Sequence, residues 1–488
     1  MYYIEPRFDH KRTFFFLNDS SPRTHEPVII GRADHPVSRS LVASSALKVL
    51  YRLKDAGYQA FLVGGCVRDI LIGITPKDFD VATDASPDEV RSLFRNCRLI
   101  GRRFRLAHVR FGDQIIEVAT FRATHGDDLA DDEGSIEEGE GDAEIEAELL
   151  AEPDDRRVQD DRGRLLRDNV YGSIDQDAWR RDFTCNALYY NIEDFSIWDY
   201  VGGFADVESR TLRLIGNPET RFREDPVRML RAVRFQAKLG FSLDPGTLEP
   251  IPRLAGLIDG VPAARLADEV QKLFLTGSAQ RAFELLVRYR ILEHLFPATA
   301  AHLAAEPDGM ANRLLRVGLE STDRRASEGR SLTPMFLFAV LLFGPISVAA
   351  QRRFDVGTPA NVAIAEACDE VVSSQVRRVS LPKRFSIPMR EMLALQPRFH
   401  RRSGRKSLAL LTHPRFRAAY DFLLLRAAAG AEDPDLARWW TEIQELSQDE
   451  RVRRVESTPG EPGAAGQGRR RRRRGGRGRR KPAANPPA

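Results

Sequence analysis

The stretch Phe61-Leu-Val-Gly-Gly-Cys-Val-Arg-Asp69, followed by Lys77-Asp-Phe-Asp-Val-Ala-Thr83, constrains this chain more than any other. A short apolar run, 60–63, stops at Gly64-Gly65, the pattern of a buried strand ending in a tight turn. Residues 67–71 then read as the start of a helix. A glycine pair between strand and helix leaves backbone N–H groups uncovered, and such a turn is a natural anion cradle. The run 79–83 is rich in strand formers, and Asp78 and Asp80 stand two residues apart. On a strand that spacing puts both carboxylates on one face, about 6–7 Å apart. Alone, each half is an ordinary glycine turn or a pair of solvated acids. In this order they suit the holding of divalent metal ions against a triphosphate.

Charge is distributed unevenly around this centre. The formal net charge of the 488 residues is +4, yet residues 127–155 hold 15 acids and no Lys or Arg, and residues 469–481 hold ten cations and no acid. The rest of the chain carries 64 cations against 55 acids, so it is itself basic, which suggests a polyanionic partner. The acidic segment and the Gly/Arg-rich end are expected to be disordered, because neither offers a core. Cys66, Cys97, Cys185 and Cys368 form no CxxC or zinc spacing, as expected of free thiols in a reducing cytoplasm. The N-terminus carries no signal-peptide pattern. The most apolar stretch, 335–350, reads as a buried helix, too short for a membrane span and interrupted by Gly344 and Pro345.

Local signals place the other elements. Ala46, Val49, Leu50 and Leu53 have helical spacing. Ser86-Pro-Asp-Glu89 and Ser173-Ile-Asp-Gln176 are capping boxes, predicting helices from 87 to about 96 and from 177 to 190. On the second of these, Asp182 and Asn186 would share a face. Residues 105–111 and 115–121 read as strands joined by Gly112-Asp113. Glu117 lies inside the second strand, where an acid needs a partner. Read from the residues alone it is one end of a salt bridge, for instance to Arg122. Asp225 reads as a helix N-cap with Pro226 at the first helical position and Gly240 as the stop. From 251 to 426 the period is helical, with breaks at Pro262, Gly277, Pro297, Pro334, Pro382 and Pro414.

The glycine turn, the Asp pair, Arg180-Arg-Asp-Phe-Thr184 with Asn186, Asp199-Tyr-Val-Gly-Gly203 and Glu224-Asp-Pro-Val-Arg228 together resemble the polymerase-beta-type nucleotidyltransferases. Within that group they resemble the class containing bacterial poly(A) polymerases and CCA-adding enzymes, over about residues 41–426. The resemblance implies an α+β chain: a loose extension 1–40, a head with a small mixed sheet over 41–203 carrying an insertion at 127–155, a helical neck 204–290, a helical RNA-binding body 291–448 and a disordered basic tail 449–488. A hinge between head and neck is implied at Gly202-Gly203. Asp78 and Asp80 would hold two Mg²⁺, with Glu117 as third carboxylate. Gly64, Gly65 and Arg68 would hold the triphosphate, Arg181, Asp182 and Asn186 the nucleotide, and Asp225 with Arg228 the base. Arg231, Arg234, Lys383, Arg384, Arg469 and Arg470 would meet RNA phosphates.

The activity so implied is template-independent addition of AMP from ATP to RNA 3′ ends, in RNA processing and decay. Its expected partners are ATP, RNA and RNA-decay proteins, in the cytoplasm. CCA addition to tRNA is the alternative, and a non-catalytic RNA-binding protein on the same fold is a second. The segment 99–109, Leu-Ile-Gly-Arg-Arg-Phe-Arg-Leu-Ala-His-Val, and the Arg-rich tail resemble poly(A) polymerases more than their CCA-adding relatives.

Overall fold

The computed structural model describes residues 26–101, 105–123, 157–159, 165–168 and 170–458. An eight-stranded sheet organises the head. In chain order its strands are β1 (Val28–Ile30), β2 (Ala60–Val63), β3 (Asp80–Thr83), β4 (Cys97–Ile100), β5 (Leu106–Phe111) and β6 (Gln114–Thr120), with Leu188–Asn191 and Ile197–Asp199 entering later as β9 and β10. Between them, β7 (Arg157–Gln159) and β8 (Leu165–Asp168) form a separate antiparallel hairpin. The order across the sheet is β1-β10-β9-β2-β3-β6-β5-β4. β3 and β6 run parallel and the other neighbours antiparallel, so the mixed sheet expected from the sequence is present.

Strand alternation gives the sheet two different faces. Leu62, Val81, Ile116, Val118, Tyr190 and Ile197 point to one side and are covered by helices Ser44–Asp55 and Pro87–Leu93. The capping box of the second helix is present as predicted, Ser86 accepting from the Glu89 N–H and Glu89 from the Ser86 N–H. Phe61, Val63, Ala82, Phe121, Tyr189 and Trp198 point to the other side and pack with Ile174, Ala178 and Trp179 of helix Ile174–Arg180. Asp80 and Glu117 belong by parity to this second face. The sheet therefore buries a full core behind itself and leaves its chemistry in front.

Beyond residue 203 the chain is nearly all helical. Helix Val227–Leu239 packs against Ala263–Phe274 and Ala279–Arg288. Gly240 ends it at φ 69°, as a C-terminal glycine should. Pro262 and Pro382 immediately precede helices, and Pro297 and Pro334 open them, so these breaks are helix starts.

Five expectations need correction. The segment called a loose extension contributes β1, which pairs with β10. Behind it Val37 is fully buried and His35 Nε2 donates to the Phe195 carbonyl at 3.0 Å. The expected helix 177–190 is instead helix Ile174–Arg180, a short 3₁₀ turn Thr184–Asn186 and the central strand β9. Asp182 and Asn186 thus share no helix, because Leu188-Tyr-Tyr-Asn191 is buried on both faces of the sheet, where aromatic residues favour strand. Order runs past 448, since Ser447 and Glu450 cap helix Gln448–Ser457 and Val455 is buried. The apolar helix is longer than expected. Pro334–Asp355 is long and apolar enough to cross a membrane by length and composition, but Leu337 to Leu342 are at most 2% exposed inside the helical core. Finally, the expected hinge is a packed junction. Asp199 accepts from the N–H groups of Val201, Gly203 and Phe204, and a Cβ on Gly203 would lie 2.1 Å from the Thr184 carbonyl oxygen. Residues 127–155 and the tail beyond 458 lie outside the described residues.

That junction yields a paired prediction. Gly203→Ala should destabilise the head by about 2–3 kcal/mol, because the carbonyl it strikes belongs to backbone. Gly202→Ala meets nothing within 4 Å and carries only its positive φ of 78°, a cost of about 1 kcal/mol. Urea unfolding midpoints measure both; equal losses would contradict the packing account.

Candidate active site

The site begins with a register. In the parallel pair β3–β6, Asp80 stands opposite Glu117, and in the antiparallel pair β2–β3 it stands opposite Val63, the last residue before the glycine turn. Neighbouring strands lie roughly 5 Å apart, at which two like charges repel by about 3 kcal/mol in a partly polar interior. Asp80 shows the consequence: burial first, then the charges of Glu117 and Asp78, push its pKa up to about 6, with Arg181 opposing them. Asp78 is exposed and sits two residues ahead of the strand, which starts at Asp80 rather than before it. Glu117 is half exposed, and its ion-pair partner is His108 on β5 at 3.4 Å. Arg122 instead directs Nη2 to the Arg105 carbonyl at 3.3 Å.

The turn next to Asp80 requires glycine. Gly64 has φ 80° and ψ −136°, a conformation closed to side-chain-bearing residues, and it precedes helix Gly65–Leu71. A Cβ built on Gly64 would lie 3.8 Å from Arg181 Nη1 and 3.9 Å from Asp80 Oδ2. The open turn, a guanidinium and a carboxylate thus converge on one point. Arg181 reaches it from the end of helix Ile174–Arg180 while its other nitrogens bond Asp177 and the Tyr189 hydroxyl. Burial works against the Arg181 charge, but Tyr189 and Asp177 outweigh it and raise its pKa above the ordinary arginine range. Neither Asp177 nor Tyr189 was singled out from the sequence; the i, i+4 spacing of Asp177 and Arg181 was the signal available.

A second node joins the head to the helical region. Asp182 accepts from Arg228 Nε at 2.8 Å and from Arg231. Burial alone would raise its pKa, but Arg231 and Arg228 hold it well below the usual carboxylate range. Arg228 also donates to Glu224 at 2.9 Å and to the Arg221 carbonyl at 2.7 Å. Arg221 in turn donates to the carbonyls of Arg180 and Arg181. Asp225 is held by Arg265 at 2.6 Å and accepts from the Val227 N–H at 3.3 Å. Arg68 is 3% exposed and spends its donors on Asp69 and on Asn186 Oδ1. Arg234 pairs with Glu269 at 3.2 Å. The structure therefore brings Asp80, Glu117, Gly64 and Arg181 together, sets Asp182, Asp225, Arg228 and Arg231 beside helix Val227–Leu239, and makes Arg68 and Asn186 a buried brace under the turn. Lys383 and Arg384 are exposed at the start of helix Lys383–Ala394, in the body. Arg469 and Arg470 lie outside the described residues.

The donor set fits a hard divalent ion. Among the described residues no three His, Cys, Asp or Glu side chains form a ready-made cage, and Mg²⁺ characteristically uses one or two carboxylates plus substrate oxygens and water. Asp80, half-buried beside two other acids that Arg181 does not fully offset, is short of the positive charge such an ion would bring. A pH prediction follows. A carboxyl whose pKa is higher folded than unfolded favours the folded state while protonated, so stability falls as pH rises from about 4 through about 6. Ionised Asp80 should then cost about 2–3 kcal/mol at pH 7.5 without divalent ions. In EDTA, Asp80→Asn should melt higher than the parent at pH 7.5 and equally below pH 4, while losing turnover by orders of magnitude. A variant that melts lower at pH 7.5 would contradict this assignment.

Three family models match the chain: the Poly A polymerase head domain over residues 60–213, the "Probable RNA and SrmB- binding site of polymerase A" over 240–303, and the Polymerase A arginine-rich C-terminus over 356–478. The chain is 47% identical over 419 residues to Poly(A) polymerase I of Escherichia coli O6:H1, covering 85% of each protein. Its similarity to the CCA-adding enzyme of Bacillus subtilis is lower, 36% over 250 residues, and covers 51% of this chain and 55% of that one. A solved structure titled "tRNA-processing enzyme (apo form 2)" shares the fold with a TM-score of 0.53 at 21% identity, covering 83% of this chain and 98% of that one. A match of this extent and identity, on a chain whose head carries Asp80, Arg181 and the glycine turn at one point, makes it a nucleotidyltransferase, and the chain belongs to the bacterial poly(A) polymerase family.

Proposed function

We propose that the chain extends RNA 3′ ends with AMP from ATP, releasing pyrophosphate, by the residues that meet at Gly64. The convergence of the open turn, Arg181 Nη1 and Asp80 Oδ2 carries this reading. The amide end of helix Gly65–Leu71 and the Arg181 guanidinium would receive triphosphate oxygens and so orient the α-phosphate for in-line attack, while the Gly64 N–H itself donates to the Leu188 carbonyl at 3.4 Å. Two Mg²⁺ held by Asp78 and Asp80 would supply an activated 3′-oxygen and offset charge on the leaving pyrophosphate. Glu117 adds negative charge beside Asp80 and strengthens the pull of that position for cations. The attacking oxygen bonds to the α-phosphorus as the bond to the β-phosphate bridging oxygen breaks.

Base choice is assigned to Asp225 and Arg228. Arg228 is held from two sides by Asp182 and Glu224, and Asp225 from one side by Arg265. Arg228 Nη2 has no partner among the described residues, and Asp225 Oδ1, which accepts from the Val227 N–H at 3.3 Å, keeps a second lone pair, so the two would offer a donor and an acceptor in fixed order. That polarity matches the donor–acceptor edge of adenine and opposes those of guanine and uracil. Cytosine shares the polarity, so its exclusion rests on size and on the rigidity of the pair. Arg231 and Arg234 already hold Asp182 and Glu269, and their expected contact with RNA phosphates requires exchange of those partners. The family region described as a probable RNA and SrmB- binding site supports RNA and a protein partner near residues 240–303, consistent with work in RNA decay in the cytoplasm.

Product analysis tests the activity. An A-ended oligomer and a tRNA lacking its end, each given ATP and CTP, should both receive runs of A. Ordered C, C, A addition to the tRNA alone would overturn the reading. For base choice, Arg228→Ala should lower discrimination of ATP over CTP and GTP by about 10- to 100-fold, because a buried edge loses its donor. Unchanged discrimination would return Asp225 and Arg228 to a purely structural role.

A further inference from the structure

Arg181 is a long side chain in a site crowded with carboxylates, and its natural resting place is the nearest unpaired acid. That acid is Asp80, whose Oδ2 borders the same point over Gly64 as Arg181 Nη1. A direct pair between them would cancel the charge that Asp80 needs. The structure prevents this. Arg181 Nε donates to Asp177 Oδ2 at 3.1 Å and to the Tyr189 hydroxyl at 2.9 Å, and Nη2 donates to Asp177 Oδ2 at 2.9 Å. The Tyr189 hydroxyl itself donates to Asp177 at 2.7 Å. Asp177 Oδ1 accepts from the Arg122 backbone N–H at 3.3 Å, tying the bracket to the end of the strand that carries Glu117. Asp177 is 9% exposed and Tyr189 fully buried, its ring packed edge-on against Phe61 and Tyr200. Nη1 has no hydrogen-bond partner among the described residues and faces the glycine turn.

We propose that Asp177 and Tyr189 are positioning residues for the transfer reaction, which hold Arg181 off Asp80 and present Nη1 alone to the phosphates of ATP. This rests on the reading of Arg181 as a phosphate ligand. A free arginine surrenders about 2 kcal/mol of rotamer entropy on being fixed, and the bracket removes most of that loss before ATP arrives. Three chain segments meet for this purpose: helix Ile174–Arg180, the nearby strand β9 and, 55 positions before Asp177, the backbone following β6.

The test is a double-mutant cycle on ATP kinetics at saturating RNA. Tyr189→Phe removes one hydroxyl and keeps the ring. It should lower kcat/KM for ATP by about 5- to 10-fold, and Asp177→Asn by about 30- to 100-fold, with RNA affinity unchanged. In an Arg181→Gln background the same changes should each cost less than about two-fold, because the group they position is gone. Losses of equal size with and without the guanidinium would show that Asp177 and Tyr189 act through the fold, and would overturn the inference while leaving the role of Arg181 intact. Unchanged ATP kinetics in Arg181→Gln itself would overturn both. Should Asp177→Asn fail to fold, the Tyr189→Phe arm of the cycle decides alone.

Discussion

Two like charges on adjacent strands, Asp80 and Glu117, are the interaction on which the rest of the head depends. A register that opposes them is unfavourable by itself. It persists because the reverse face of the same strands buries Val81, Ile116 and Val118 against Val49, Leu50 and Leu53, at roughly 1.5–3 kcal/mol for each fully buried aliphatic side chain. Slipping the pairing by one residue to separate the acids would turn that apolar row toward solvent. The core thus locks a repulsion in place, which a bound cation would relieve. Arg181, the arginine nearest Asp80 among the described residues, is already tied to Asp177 and Tyr189.

The second dependency runs between head and helices. Asp182 is a single carboxylate shared by two arginines of helix Val227–Leu239, and Arg221 bonds the two carbonyls just before it. Removing one partner from such a largely buried cluster costs about 3–5 kcal/mol, so helix Val227–Leu239 is fixed to the segment that carries Arg181. Arg265 extends the lock to Asp225 from a third helix. A rigid donor–acceptor pair suits an enzyme that adds one nucleotide repeatedly, since nothing in its task calls for the pair to re-aim.

Local chemistry was legible in the sequence, and tertiary pairing was not. The two capping boxes, the Gly112 turn and the Gly240 stop are decided within a few residues, and all are present. The glycine turn was legible because strand, glycine pair and helix follow one another directly, whereas of the Asp78/Asp80 pair, expected on one strand face, only Asp80 lies on the strand. The segment Leu188–Asn191 was misread as helix because an unbroken apolar run suits a buried helix or a strand with both faces covered, and neighbouring β2 and β10 decide it. β1 was missed for a similar reason: three residues carry no period, and the partner lies about 170 positions away. Arg68 was expected at the phosphates from its place after the turn, whereas Asp69 and Asn186 bury it beneath. Asp177 escaped notice because its meaning lies in the Arg122 backbone and in Tyr189, neither of which a local motif encodes.

Asp80 keeps its proton unusually long because burial and the neighbouring carboxylates outweigh Arg181, and a divalent ion bound there would supply the missing positive charge. Proton release on metal binding measures this directly. Calorimetric titration of the protein with Mn²⁺ at pH 6, in buffers of different ionisation enthalpy, should report roughly half a proton released per protein, falling toward zero at pH 8. Binding heats that do not depend on the buffer at pH 6 would contradict it.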